Sequence, residues 1–216
     1  MSIIDKALGA VTPPESEQDR VEATRKARQI AQPGDWLSMV LDHHDMIRQA
    51  FEACRQAQAP VDRVSAMKRL ALLLNGHSLA EEVVLYPALA KAGGKGHATM
   101  AYTEQTTAKM QMAELERIDP ATPEWNDKLE HIRGAVLHHV YEEENGWFLE
   151  LKGRGDDQQM LGERYREEFE RYAGRDLGLS QDRGMSQGMG SSTGMDQGMG
   201  GVDRRPDEPR TFQPGI

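Results

Sequence analysis

Cysteine is nearly absent from this sequence. Cys54 stands alone, which excludes an internal disulfide framework and a thiolate-built metal site. On the flank of its helix's apolar stripe it reads as a small core residue. Long hydrophobic runs are missing too. The longest strongly apolar stretch, Leu70 to Leu74, falls far short of the ~20 residues that span a bilayer. Asp5 and Lys6 interrupt what would otherwise be an apolar start, so a signal peptide is not expected, and a cytoplasmic protein follows by elimination. Positive charge is outweighed: 26 Lys and Arg face 35 Asp and Glu, for a formal net charge of −9. Arg25, Lys26 and Arg28 form the only notable early basic cluster and read as a solvated helix face. A surface for nucleic acid or for anionic lipid is therefore not expected. No segment alternates apolar and polar residues with period two, so a strand-based fold has nothing to stand on.

What is present is helical periodicity, punctuated by proline and glycine. Residues 1–34 are polar and broken by Pro13, Pro14 and Pro33; they read as an arm, with a short helix from about Glu15 to Ile30. Asp35 is a good N-cap for a first long helix carrying Leu37, Val40, Leu41, Ile47, Phe51 and Cys54 at helical spacing. After Pro60, Asp62 can cap a second helix running to about Pro87 or a little beyond. Gly93-Gly94-Lys95-Gly96 reads as a plain connector, without the Lys-Ser/Thr pair of a phosphate-binding loop. A third helix is expected from about His97 to Arg117. Thr122-Pro123 starts a fourth, with a cap and a proline in its first turn, reaching about Leu151.

Four long helices with short connections predict an all-α, antiparallel up-down-up-down four-helix bundle over 35–152. Residues 153–173 add a fifth, amphipathic helix with Leu161, Tyr165, Phe169 and Tyr172 on one side, packing on the bundle or in a homo-oligomer contact. From Gly174 the sequence turns Gly- and Met-rich, with no Phe, Trp or Tyr before Thr211. A disordered tail over 174–216 is expected.

One pattern occurs twice. His77-Ser78-Leu79-Ala80-Glu81-Glu82 and His139-Val140-Tyr141-Glu142-Glu143-Glu144 both place a glutamate four residues after a histidine, with a second glutamate beside it. An aromatic follows nine residues after each histidine (Tyr86, Phe148). Residues four apart on a helix share a face, so each copy can aim an imidazole and a carboxylate at one point. With 35 acidic residues in the chain, the spacing alone is weak, and His138 to Glu142 repeats it by chance. The helical face separates the cases. At ~100° per residue, His139 and Glu143 fall within ~60° of Ile132 and Val136, while His138 and His131 lie roughly 100° or more away. His77 and Glu81 share a face with Leu70, Leu73, Leu74 and Val84. An imidazole and a carboxylate on an apolar face are costly unless paired or bound to metal. Two facing copies make a site for two metal ions. His44, near the centre of the first helix's stripe, joins them as a candidate ligand; its neighbour His43 lies ~100° off.

These residues resemble the hemerythrin-like (HHE cation-binding) family. The resemblance rests on Asp42-His43-His44-Asp45-Met46-Ile47, on His77 to Pro87 and on His139 to Glu144, and covers roughly Trp36 to Leu151. It implies an antiparallel four-helix bundle holding two iron ions, a non-haem di-iron centre, with other divalent cations also able to fit. Carried over, His44 and His77 look like terminal ligands of one iron, His139 like a ligand of the other, and Glu81 and Glu143 like bridging carboxylates. The third helix departs from the family pattern: Glu104-Gln105 and Lys109 stand where histidines are usual. Glu104 can supply an oxygen ligand instead, with His97 as the alternative. An oxygen donor there suits harder ions, favours the ferric state and weakens the case for reversible oxygen carriage. Gly146 leaves room for a small ligand or marks irregular packing. The resemblance implies a protein that binds or senses oxygen, nitric oxide or peroxide, as in a stress response. The alternatives are a peroxide-consuming or ferroxidase-like oxidoreductase and an iron store or donor.

Overall fold

The computed structural model describes residues 15–154 and 157–174. Every regular element among them is helical. Helix α1 spans Glu17–Ile30, capped by a reciprocal Ser16–Asp19 box. Helix α2 spans Trp36–Gln56, with the Asp35 carboxylate accepting from the Ser38 amide. Helix α3 spans Pro60–Ala80 and continues through a π turn, Glu81–Leu85, into the short α4, Tyr86–Leu89. A second wide segment, Ala90–Gly94, breaks at Gly93, whose φ of 108° is disfavoured for residues with a side chain. Helix α5 spans Lys95–Leu115 and α6 spans Pro123–Glu142. A further π turn, Glu143–Trp147, leads into α7, Phe148–Arg154. Helix α8, Gln158–Ala173, begins at an Asp157 cap. No described helix is long and apolar enough to cross a membrane.

The punctuation read from sequence departs from the structure in three places. Asp62 does not cap the second long helix; Ala59 is its N-cap and Pro60 its first residue, with Asp62 in the first turn. Of the four-residue Gly-Lys connector only Gly93 turns the chain, and α5 already begins at Lys95. Tyr172 leaves the apolar face of α8 and is exposed, whereas Leu161, Tyr165 and Phe169 are buried. The tail expectation falls, beyond Gly174, outside the described residues.

Packing follows the apolar stripes. Helix α2 lies along α3 and α5 along α6, while α8 packs on α2, on α3 and on the π turn after α3. The α8 contact is close because Gly76 has no Cβ; one built there would sit 2.6 Å from the Ala173 Cβ. Helix α1 lies against α2 and the Glu143–Trp147 turn, burying Ala23 and Ala27 and tying Arg28 to Asp42 and Asp45. The core joins Trp36, Leu41, Ile47, Phe51, Leu70, Leu85, Trp125, Ile132 and Phe148 around one set of buried polar side chains.

Candidate metal centre

Those polar side chains come from three helices and two π turns. His44 projects from the middle of α2, His77 from the last turn of α3, and His139 from the last turn of α6. Glu81 and Glu143 are the first residues of the two π turns that follow. A π turn inserts a residue into the helical ladder and is frequent at functional sites. Here it carries each helix on past its carboxylate in a changed register. All five side chains are buried, His44, Glu81 and Glu143 completely.

The distances bring the two copies of the motif together. His77 Nε2 lies 3.3 Å from Glu81 Oε2, and His139 Nε2 lies 3.3 Å from Glu143 Oε1. His44 Nε2 is 3.3 Å from Glu143 Oε2 and 4.0 Å from Glu81 Oε1. Ligand atoms of His44, His77, Glu81 and Glu143 all lie within 4.8 Å of one another. His44 Nε2, Glu81 Oε1 and Glu143 Oε2 are buried without a hydrogen-bond partner. Leaving such groups unsatisfied costs about 1–3 kcal/mol each, more when charged. Three converging on one point have the form of a cation-binding site.

Tyr86, on α4, completes the other side. Its hydroxyl oxygen lies 2.8 Å from Glu143 Oε1, 3.2 Å from Glu81 Oε2 and 3.1 Å from His139 Nε2. With bonds of about 2.1 Å, neighbouring ligand atoms on a six-coordinate ion sit about 3 Å apart. The donor set, imidazoles with carboxylates and a phenol, thus suits a metal cation, and His44, His77, Glu81 and Glu143 could hold one together.

A second ring of contacts orients these groups. Glu104, on α5, faces His139 Nδ1 at 2.8 Å. Gln105 Nε2 donates to Glu81 Oε2 at 2.6 Å and to the Tyr86 oxygen at 2.5 Å. His44 Nδ1 meets Glu144 at 2.8 Å, and Glu144 is clasped by Arg48 and by Thr24 of α1. Nδ1 of His77 meets the Tyr165 hydroxyl of α8 at 3.0 Å, and Nδ1 of His43 meets the same oxygen at 2.9 Å.

The charges of the metal-free cluster are shared unevenly. Burial alone would lower His44, but Glu143 and Glu144 outweigh it and lift its pKa to about 9. His139 is likewise raised against burial, chiefly by Glu143 and then Glu104. Glu143, facing both imidazoles, is held below the usual carboxylate range despite its burial. Burial and the neighbouring Glu143 push Glu81 well above that range. Burial, then His44, keeps His77 neutral. The cluster therefore holds protons at sites that a cation would claim.

Of the six candidates from sequence, His44, His77, Glu81, His139 and Glu143 meet at one centre. Glu104 reaches it through His139, at the nitrogen facing away from Glu143. His97 does not: it is half exposed beside Glu150 and stacks on Trp147. Gly146 is exposed, with nothing within 4 Å of a built Cβ, so it opens no room at the centre. His138 is turned away, half exposed, and pairs with Glu15. His43, placed off the stripe by periodicity, is buried nonetheless, because α8 covers that flank: Phe169 stacks on it at 3.8 Å. Tyr86 and Glu144 were not singled out from sequence as site residues. A tyrosine nine residues after a core histidine, and an arginine four after His44, were the available signals.

A cavity of about 590 Å³ opens between α3, α5 and α6. Met67, Ala71, Leu74, Ala108 and Met112 contribute to its walls, and His77, Gln105 and His139 also line it. It gives the centre a mostly apolar approach from solvent.

Comparison with known proteins agrees with this arrangement. A DNA nickase from Nostoc sp. (strain PCC 7120 / SAG 25.82 / UTEX 2576) is 27% identical over 116 residues, 54% of this chain and 33% of that protein. The chain thus spans about a third of that relative's length. No solved structure matches the chain. The model of the hemerythrin HHE cation-binding domain matches residues 37–151, the span that holds His44, His77, Glu81, His139 and Glu143, and the chain belongs to that family.

Proposed function

We propose that the chain is a non-haem di-iron protein that binds peroxide, oxygen or nitric oxide, on an up-down-up-down bundle covering 35–152. The observation that carries this reading is the convergence of His44 Nε2, Glu81 Oε1 and Glu143 Oε2, buried and unpartnered, on one point. In it, His44 and His77 would hold one iron and His139 and Tyr86 the other, with Glu81 and Glu143 supplying carboxylate ligands. Two iron ions would supply a redox-active Lewis acid pair able to bind and reduce a small oxidant.

The chain's own residues set the conditions. Two carboxylates and a phenol make an oxygen-rich donor set, which favours hard, higher-valent ions. Among the three small ligands that argues for peroxide over reversible oxygen carriage. The mostly apolar cavity lining beside His77 and His139 offers small neutral molecules an approach from solvent. Gln105, which also lines that cavity, donates to Glu81 and Tyr86 and fixes both oxygens. Glu104 fixes His139 by accepting from its Nδ1–H, a typical support for a metal-bound imidazole.

The same oxygen-rich set favours one second reading, turnover of peroxide as an oxidoreductase. The nickase relative raises a hydrolytic use of two metal ions, which clamp both oxygens of a phosphoryl displacement. A net charge of −9 offers no electrostatic footprint for a phosphate backbone, so that reading ranks below the others.

The test is anaerobic loading with ferrous iron, metal counting, and optical spectra before and after oxygen, peroxide and nitric oxide. Two irons per chain and a spectral change with peroxide are expected. Fewer than two irons, or spectra indifferent to all three ligands, would overturn the reading. Steady-state peroxide consumption separates the oxidoreductase from a stoichiometric binder.

A further inference from the structure

Helix α8 lies outside the 37–151 match, yet one of its side chains touches the centre's supporting ring. The Tyr165 hydroxyl lies 3.0 Å from Nδ1 of His77 and 2.9 Å from Nδ1 of His43. Tyr165 is fully buried, so this oxygen has no water to turn to. Its place is fixed by the close seat of α8, where Ala173 fills the space over Gly76.

A phenol has one proton to give and lone pairs to receive. Between two imidazole nitrogens its buried proton finds a partner only if it accepts from one and donates to the other. His77 Nε2 points at the cluster, 3.3 Å from Glu81, and can bind a cation only with its lone pair free. Its proton then sits on Nδ1, which donates to Tyr165. Tyr165 in turn donates to Nδ1 of His43, whose proton is left on Nε2. Each of the three groups has one role in this order, and none is left unpaired at the shared oxygen.

We propose that Tyr165 is a positioning residue of the metal centre: bridging His77 and His43, it holds His77 in the tautomer and ring orientation that present Nε2 to the cation. The proposal rests on the di-metal reading above. It makes α8 part of the centre, by a contact that the family match does not span. It also gives buried His43 a task, as acceptor at the far end of the chain.

Tyr165→Phe removes the hydroxyl and keeps the ring. Removing a supporting partner of a metal-bound histidine typically costs 10–100-fold in affinity. Cobalt(II) and ferrous iron should therefore bind the full-length variant about 10–100-fold more weakly at one of two positions, and the visible bands of the cobalt(II) form should shift. Ring ¹⁵N shifts of the metal-free variant should show His77 redistributed between its two tautomers. His43→Leu keeps the phenol but removes its acceptor, freeing Tyr165 to donate to His77; the same changes are expected, smaller in size. Phe169→Leu loosens the packing of α8 while sparing the hydroxyl. It should lower the melting temperature yet leave affinity and cobalt bands close to wild type. Weakening in Phe169→Leu equal to that in Tyr165→Phe would reduce Tyr165 to a packing residue and overturn the proposal. So would unchanged affinity, bands and ¹⁵N shifts in both Tyr165→Phe and His43→Leu while wild type binds two ions. Wild-type protein that takes up no metal would sink the proposal together with the reading it rests on.

Discussion

The two copies of the histidine–glutamate motif are alike in sequence and unlike in surroundings. Each histidine ends a long α-helix and each glutamate opens a π turn. Each imidazole lies 3.3 Å from its own glutamate. Behind the rings the resemblance stops. His77 Nδ1 meets the phenol of Tyr165, and His139 Nδ1 meets the carboxylate of Glu104. Nine residues on, Tyr86 brings a hydroxyl to the centre, whereas Phe148 packs edge-on against Trp36 at 5.6 Å. The duplicated spacing supplies two matching pairs of donors; the partners make them inequivalent. A carboxylate behind an imidazole raises its basicity more than a phenol does, so in the proposed di-iron reading a position at His139 would suit the harder, more charged ion.

The strongest way to break this pairing is to remove what both copies share. Glu143 faces His139 with one oxygen and His44 with the other. Glu143→Ala should abolish metal at both positions, read as less than one ion per chain, and should lower the melting temperature of metal-loaded samples because binding free energy adds to folding free energy. Near-normal metal content in this variant would remove the bridging role. Next in size is Tyr86→Phe; the Tyr86 hydroxyl meets both glutamates but only one of the histidines, His139. It should leave one ion tightly held and weaken the second by about tenfold or more, an order of magnitude typical of perturbed metal sites. Equal loss at both positions would contradict the assignment of Tyr86 to the His139 side. Glu104→Gln keeps an acceptor for the His139 Nδ1–H but removes its charge. A loss of about tenfold at most is expected, confined to the same position, in metal titrations.

Much of this was readable beforehand, for a physical reason. Burial on a helix face is a one-dimensional property, so periodicity alone placed His44, His77, Glu81, His139 and Glu143 inward, and Asp35 and Pro123 marked helix starts where they occur. What escaped depends on departures from the regular helix or on distant chain. A straight helix turns ~100° per residue and would set Tyr86 about 180° round from His77. The π turn at Glu81–Leu85 takes up one residue's rotation and swings Tyr86 back towards the centre. His43 lies off its own helix's stripe and is buried only because α8 arrives over it. Glu104, expected as an oxygen ligand, meets an imidazole, Nδ1 of His139, at 2.8 Å. Gly93 alone carries a turn that four residues were expected to share, since α5 can start at Lys95 once the backbone has reversed at a positive φ.

The smallest expected effect tests the facing argument at its narrowest. His138 and His139 are adjacent and each has a glutamate four residues on, yet His138 is half exposed and meets Glu15 at 2.7 Å. His138→Ala should leave metal content unchanged, in contrast to His139→Ala, which should strip at least one ion. Its cost is that of a partly exposed ion pair, at most about 1 kcal/mol. The sign with pH follows from Glu15, whose carboxyl is held below its ordinary range because contacts from His138 and Arg20 outweigh its burial. A depressed folded-state pKa stabilises the fold above the unfolded value of about 4.5 and loses that contribution as pH falls through the folded one. The difference in melting temperature between wild type and His138→Ala should thus be present at pH 6 and shrink below about pH 4. A gap that widens on acidification, or metal loss matching that of His139→Ala, would mean that the two faces of α6 are not as separate as the 62-residue repeat requires.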